Sequence, residues 1–113
     1  MTEFKTNYQS LADGRTLAYC EYGDPRGIPM FYAHGGSGSR MEGAVFNDAA
    51  AKYGFRLIAT DRPGMGQSTL KLNRKFLDYP HDILELADHL GLDKFGVLGW
   101  SGGGPHTVVL FCL

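Results

Sequence analysis

Lys94-Phe95-Gly96-Val97-Leu98 runs without a break into Gly99-Trp100-Ser101-Gly102-Gly103. The first five residues predict a short buried strand. The next five fit Gly-x-Ser-x-Gly, the pattern that lifts a serine hydroxyl onto a sharp turn between a strand and a helix. Such a turn brings the residues two before and two after the serine together, and glycine at 99 and 103 removes a Cβ from each. The N-terminus of a following helix places free N–H groups and partial positive charge near the serine oxygen. Ser101 is thereby a candidate nucleophile. By itself the pattern is weak, because 113 residues with 16 glycines give on the order of 0.1 matches by chance. A plain strand-to-helix connection is the simplest alternative. A dinucleotide-binding turn is another, but Ser101 occupies the place of its second glycine and Thr107 that of its third.

The residues upstream supply the context. Asp78 predicts an N-cap with Pro80 in the first helical turn. Ile83, Leu86, Ala87 and Leu90 then repeat at the spacing of one helix face, and Gly91-Leu92 closes the helix with a C-cap motif. Before it, Phe55 to Thr60 predicts a strand that ends in the loop Asp61-Arg62-Pro63-Gly64-Met65-Gly66-Gln67-Ser68. Met41 to Tyr53 is alanine-rich and stops at Gly54, which predicts another helix. Ile28 to Ala33 is an apolar run in which Pro29 is tolerable only near the start. It opens into His34-Gly35-Gly36-Ser37-Gly38. Farthest upstream, Asp13-Gly14 predicts a turn that pairs Phe4–Ser10 with Arg15–Tyr22 as an antiparallel hairpin.

Strands alternating with helices predict a parallel α/β sheet behind that hairpin. Ligands of such sheets bind beyond the carboxyl ends of the strands. The loops after Ala33, Thr60 and Trp100 all leave those ends and are expected to converge on one crevice. Ester or amide hydrolysis needs two preorganised N–H donors for an oxyanion. Gly102, next after the serine, supplies one. Gly36 is the best candidate for the second, since glycine allows close backbone approach.

Taken together, His34-Gly35-Gly36, the Asp61–Ser68 loop and Gly99-Trp100-Ser101-Gly102-Gly103 resemble the α/β-hydrolase superfamily, from the Asp13-Gly14 hairpin to Leu113. The resemblance implies Ser101 as nucleophile, with Gly36 and Gly102 forming the oxyanion hole. His34, Gly35, Gly99, Trp100, Gly103 and Asp61 would support the elbow and pocket, Asp61 as part of a structural turn. Superfamily members that act as dehalogenases or epoxide hydrolases carry an aspartate nucleophile, so serine favours ester, thioester, amide or peptide hydrolysis, or acyl transfer through the same acyl-enzyme. The expected substrate is a small acyl compound, with no metal and no cofactor.

The triad order of the superfamily is serine, acid, histidine, and 10 residues follow Gly103. His34 belongs to the oxyanion loop. His81 and His89 fall on the helix before the serine strand, and the turn should aim His106 away from the serine hydroxyl. The acid and base are therefore expected outside the chain, which reads as the N-terminal part of a single domain, inactive alone. The strand before Ser101 would then be an exposed apolar edge, prone to association. The alternative function is a non-catalytic scaffold or binding module whose fold is degenerate or completed by a partner.

Composition agrees with one small globular domain: 43% hydrophobic and 20% charged residues, with a net charge of −1. That charge gives no case for nucleic acid or an anionic membrane surface. Neither a secretory signal nor a span-length apolar stretch is visible. Cys20 and Cys112, the 2 cysteines, are expected as reduced buried thiols in a cytoplasmic protein.

Overall fold

The structure, a computed structural model, describes residues 4–36, 38–73, 78–99, 103 and 105. Its centre is a mixed five-stranded sheet in the order β1-β2-β4-β3-β5. The strands are β1 (Asn7–Ser10), β2 (Thr16–Gly23), β3 (Ile28–Ala33), β4 (Phe55–Thr60) and β5 (Gly96–Gly99). β1 pairs antiparallel with β2, and β2 antiparallel with β4. β4, β3 and β5 are parallel. The expected hairpin is present: Gly14 takes φ +89°, and its N–H donates to the Leu11 carbonyl at 3.0 Å.

Among the described residues two α-helices cover the sheet: α1 (Asn47–Tyr53) and α2 (Asp78–His89). A strand's side chains alternate between faces, so Leu17, Tyr19, Phe31, Ala33 and Ile58 pack against Ile83, Leu86 and Ala87 of α2. Cys20, Tyr22, Tyr32, Leu57 and Ala59 pack on the other face with Ala50 of α1. The strand order explains this division. The chain steps from β3 to β4 in one direction and then crosses back past β3 to reach β5. Right-handed crossovers in opposite directions put their helices on opposite faces. The loops leaving β3 and β4 thus turn apart, opening a crevice at the carboxyl ends of the strands.

Four local expectations are corrected or sharpened. The segment expected as one helix from Met41 to Tyr53 begins with a 3₁₀ helix, Arg40–Phe46, capped by the Ser39 hydroxyl, and becomes α-helical only at Asn47. Its end is as expected, with Gly54 left-handed and bonded to Ala50. Asp78, expected as an N-cap, is already helical. At the other end of α2 the Gly91 N–H donates to Asp88 and the Leu92 N–H to Ala87, both bonds of a Schellman cap. β5 starts at Gly96 rather than Lys94 and is only half-buried, because it lies at the sheet edge with Leu98 exposed. Its pairing with β3 begins at Met30 and ends at Ala33↔Gly99, so Pro29 precedes that ladder. Cys20 is buried and free; Cys112 lies outside the described residues.

Candidate active site

β3, β4 and β5 end at one level, with Ala33 in register with both Thr60 and Gly99. The segments that follow meet there. His34 is fully buried. It accepts the Arg62 backbone N–H at Nε2 (3.2 Å) and bonds the Gly35 carbonyl through Nδ1 (2.7 Å). That pairing fixes the proton on Nδ1. Burial holds the imidazole below its ordinary value of 6.5; the Gly35 carbonyl opposes this, and the nearby Arg62 cation adds to it. The ring is therefore neutral near pH 7, with both nitrogens committed.

Arg62 is also buried. Its Nη1 donates to the His34 carbonyl, and its Nη2 to the Gly35 carbonyl at 3.1 Å. On the other side of the same loop, Glu42 of the 3₁₀ helix accepts the Gly35 N–H at Oε1 (3.1 Å) and Oε2 (3.0 Å). Glu42 Oε1 also accepts the Tyr32 hydroxyl at 2.7 Å. Burial, and then that carboxylate, push the Tyr32 pKa up. A Cβ at Gly38 would fall on the Glu42 carboxylate, so glycine there leaves room for the acid to reach Gly35.

Asp61 is fully buried and its carboxylate is occupied. Oδ1 accepts the Arg40 backbone N–H at 2.6 Å; Oδ2 accepts Arg40 Nη1 at 2.7 Å and the Gln67 N–H at 2.8 Å. The Asp61 carbonyl accepts the Ser68 hydroxyl at 2.7 Å, and that hydroxyl oxygen accepts the Ala18 N–H at 2.9 Å. The Asp61–Ser68 loop is thus tied both to the loop after β3 and to β2.

Gly103 is buried. A Cβ there would overlap the Ala33 carbonyl and lie 2.8 Å from the His34 carbonyl oxygen. The steric demand at 103 thus comes from the end of β3, whereas the sequence suggested Gly99. Gly99 closes β5, and Gly36 is exposed with open space around it. Trp100, Ser101, Gly102 and His106 lie outside the described residues. His81 and His89 are exposed on α2. A cavity of about 420 Å³ lined by Glu21, Tyr22, Gly23, Pro25 and Arg56 lies at the opposite end of β4 and holds the Glu21–Arg56 ion pair.

A family model described as the alpha/beta hydrolase fold matches residues 28–113. The chain belongs to the α/β-hydrolase family. The dihydrolipoyllysine-residue acetyltransferase component of the acetoin cleaving system from Pseudomonas putida is 38% identical over 96 residues, 84% of this chain and 26% of the relative. A proline iminopeptidase from Xanthomonas citri is 31% identical over 108 residues, covering 91% of this chain and 34% of that enzyme. Among solved structures, an epoxide hydrolase from Vigna radiata superposes with a TM-score of 0.85 at 19% identity, over 98% of this chain and 36% of that one. This α/β-hydrolase chain therefore spans between about a quarter and a third of the curated relatives named here. Among its described residues, no helix is long and apolar enough to cross a membrane.

Sequence reasoning missed Arg40, Glu42 and Arg62, the three side chains that tie these α/β-hydrolase loops together. Each sits within a few residues of a glycine-rich turn. Their side-chain partners are separated from them by 7 to 34 residues, so no local pattern announces the pairing.

Proposed function

We propose that these residues carry the nucleophile and oxyanion hole of a serine hydrolase that cleaves a small acyl ester or amide through an acyl-enzyme. Ser101 attacks the carbonyl carbon, and the Gly36 and Gly102 N–H groups receive the developing oxyanion. The leaving group departs, and water then releases the acyl group from the serine. No cofactor enters this chemistry.

One observation carries the reading. In the loop after β3 the Gly35 N–H is already held by Glu42, while the next N–H, on exposed Gly36, has no hydrogen-bond partner among the described residues. A free donor on a rigid loop at the carboxyl ends of parallel strands suits a developing negative charge. Serine at the elbow argues for acyl chemistry, and the proline iminopeptidase relative is in keeping with that. His34 has both nitrogens engaged and His81 and His89 are exposed on α2, and His106 falls within the helix expected after the serine, which turns it from the hydroxyl. With the family's order of serine, acid, histidine, we place the catalytic acid and base outside these 113 residues. On this reading they form the N-terminal part of one catalytic domain and are inactive alone. The buried free Cys20 fits a cytoplasmic enzyme.

The test is active-site labelling of the complete chain with a fluorophosphonate probe. Ser101→Ala abolishes labelling; undiminished labelling overturns the nucleophile assignment.

A second reading rests on β5, the sheet edge, where Leu98 is exposed. Such an edge can be completed by a strand from another chain, making a non-catalytic partner-binding module. A stable complex whose partner protects the β5 amides from hydrogen exchange would favour it.

A further inference from the structure

The peptide group between Gly35 and Gly36 is the one that presents the Gly36 N–H, and its orientation is fixed through its other end. The Gly35 carbonyl receives three donors: His34 Nδ1 at 2.7 Å, the Gly38 N–H at 3.0 Å and Arg62 Nη2 at 3.1 Å. No cis peptide occurs among the described residues. In a planar trans peptide the C=O and N–H point in opposite directions, so holding this carbonyl toward the guanidinium turns the Gly36 N–H away from it. The preceding peptide is gripped at both ends, its His34 carbonyl by Arg62 Nη1 and its Gly35 N–H by Glu42. The two carbonyls converge on one buried, forked cation. A planar guanidinium can serve two acceptors at fixed angles, which an ammonium cannot.

We propose that Arg62 is a positioning residue for the oxyanion hole, holding the Gly35 carbonyl so that the Gly36 N–H faces the reacting oxygen. This rests on the serine-hydrolase reading above. A flipped Gly35–Gly36 peptide would present a carbonyl where a donor is required. Because an oxyanion forms only along the reaction path, losing the donor lowers kcat rather than raising KM.

The experiment is a double-mutant cycle in the complete enzyme, read as kcat and KM on a chromogenic acyl ester. Arg62→Lys keeps the charge and loses the fork; it is expected to lower kcat about 100-fold, the usual loss for one oxyanion donor, with KM within about twofold. Gly36→Pro removes the donor itself. In that background Arg62→Lys should cost almost nothing more. A full second loss would make Arg62 a merely structural residue and overturn the proposal, as would an unaltered kcat in the single variant. Should Arg62→Lys fail to fold, a through-hydrogen-bond NMR coupling between Arg62 Nη2 and the Gly35 carbonyl carbon decides, and its absence counts against the proposal. Ser101→Ala labelling run in parallel separates the two failures: persistent labelling sinks the parent reading, while abolished labelling with an unaltered Arg62→Lys kcat sinks this one alone.

Discussion

Arg40 holds the buried Asp61 carboxylate twice, through its backbone N–H at 2.6 Å and its guanidinium Nη1 at 2.7 Å. Asp61 has no solvent contact, and the Arg40 side chain is 13% exposed. Removing one partner of such a pair strands the other charge. Asp61→Asn should therefore cost about 3 kcal/mol, read as a lower urea midpoint of the complete chain with an unchanged denaturant slope. A loss under about 0.5 kcal/mol, the usual size for surface sites, would show that the pair does not hold the loop.

His34 sets a pH dependence whose sign follows from its depressed pKa. The unfolded imidazole titrates near its ordinary value of 6.5 and the folded one below it. Between those two values the unfolded chain binds the extra proton, so stability falls with decreasing pH across that interval. Above about 6.5 the full contribution is present. His34→Asn should flatten this slope as pH falls below about 6.5, measured as denaturation midpoint against pH. A slope identical to that of the unsubstituted protein would refute the assignment. Asp13 acts in a separate window, because bonding to Arg15 lowers it from 3.8 to about 2. Its contribution is present above 3.8 and disappears as pH falls through about 2.

Two glycines in the neighbouring loops should behave oppositely on substitution by alanine. At Gly103 the added Cβ meets backbone carbonyls of Ala33 and His34, which cannot move without shifting β3. The expected cost is about 2 to 3 kcal/mol. At Gly36 nothing lies within 4 Å of the added Cβ, so the expected change is within about 0.5 kcal/mol. Thermal unfolding of both variants tests the contrast, and equal effects would contradict it.

Arg15 ties the hairpin to α2, with Nη1 donating to Asp82 Oδ2 at 2.9 Å and Nη2 to Oδ1 at 2.6 Å. Asp82→Ala should cost about 1.5 to 3 kcal/mol, the usual loss for hydrogen bonds to a charged group, because Arg15 keeps its Nε bond to Asp13 at 2.8 Å. Replacing both residues with leucine should recover most of that loss, since apolar packing can substitute for a buried ion pair. A double variant as unstable as the single one would argue against that account.

β5 leaves Leu98 exposed at 38% on the sheet edge. We expect the 113-residue chain to self-associate with rising concentration, and Leu98→Lys to suppress this by placing a charge on the edge. Sedimentation velocity across a concentration series reads the effect. A monodisperse monomer with a cooperative thermal transition would dispose of the idea.

The parts legible in the sequence are those written in short-range chemistry. Asp13-Gly14 marked the hairpin, Gly91-Leu92 the Schellman cap, and Ile83, Leu86, Ala87 and Leu90 the inner face of α2. The convergence of the loops after Ala33 and Thr60 followed from alternation of strand and helix alone. What escaped reading is governed by partners far apart in the chain. That β3 lies between β4 and β5 is decided by crossover handedness and by which faces need cover. The 3₁₀ start at Arg40 reflects the Ser39 cap and the pull of Asp61 on Arg40 and of Gly35 on Glu42. The sequence also placed the clash partner of Gly103 within its own turn, when the nearest atoms belong to a neighbouring strand.

The shared register of Ala33 and Gly99 has a consequence for how such a protein could diversify. Ala33 and Gly99 end adjacent parallel strands at the same rung, and those strands stand about 4.8 Å apart by main-chain hydrogen bonding. Backbone geometry, not side-chain identity, is then the ruler between the two strand ends. Residues elsewhere around the crevice are free to drift toward new substrates while that gauge stays constant.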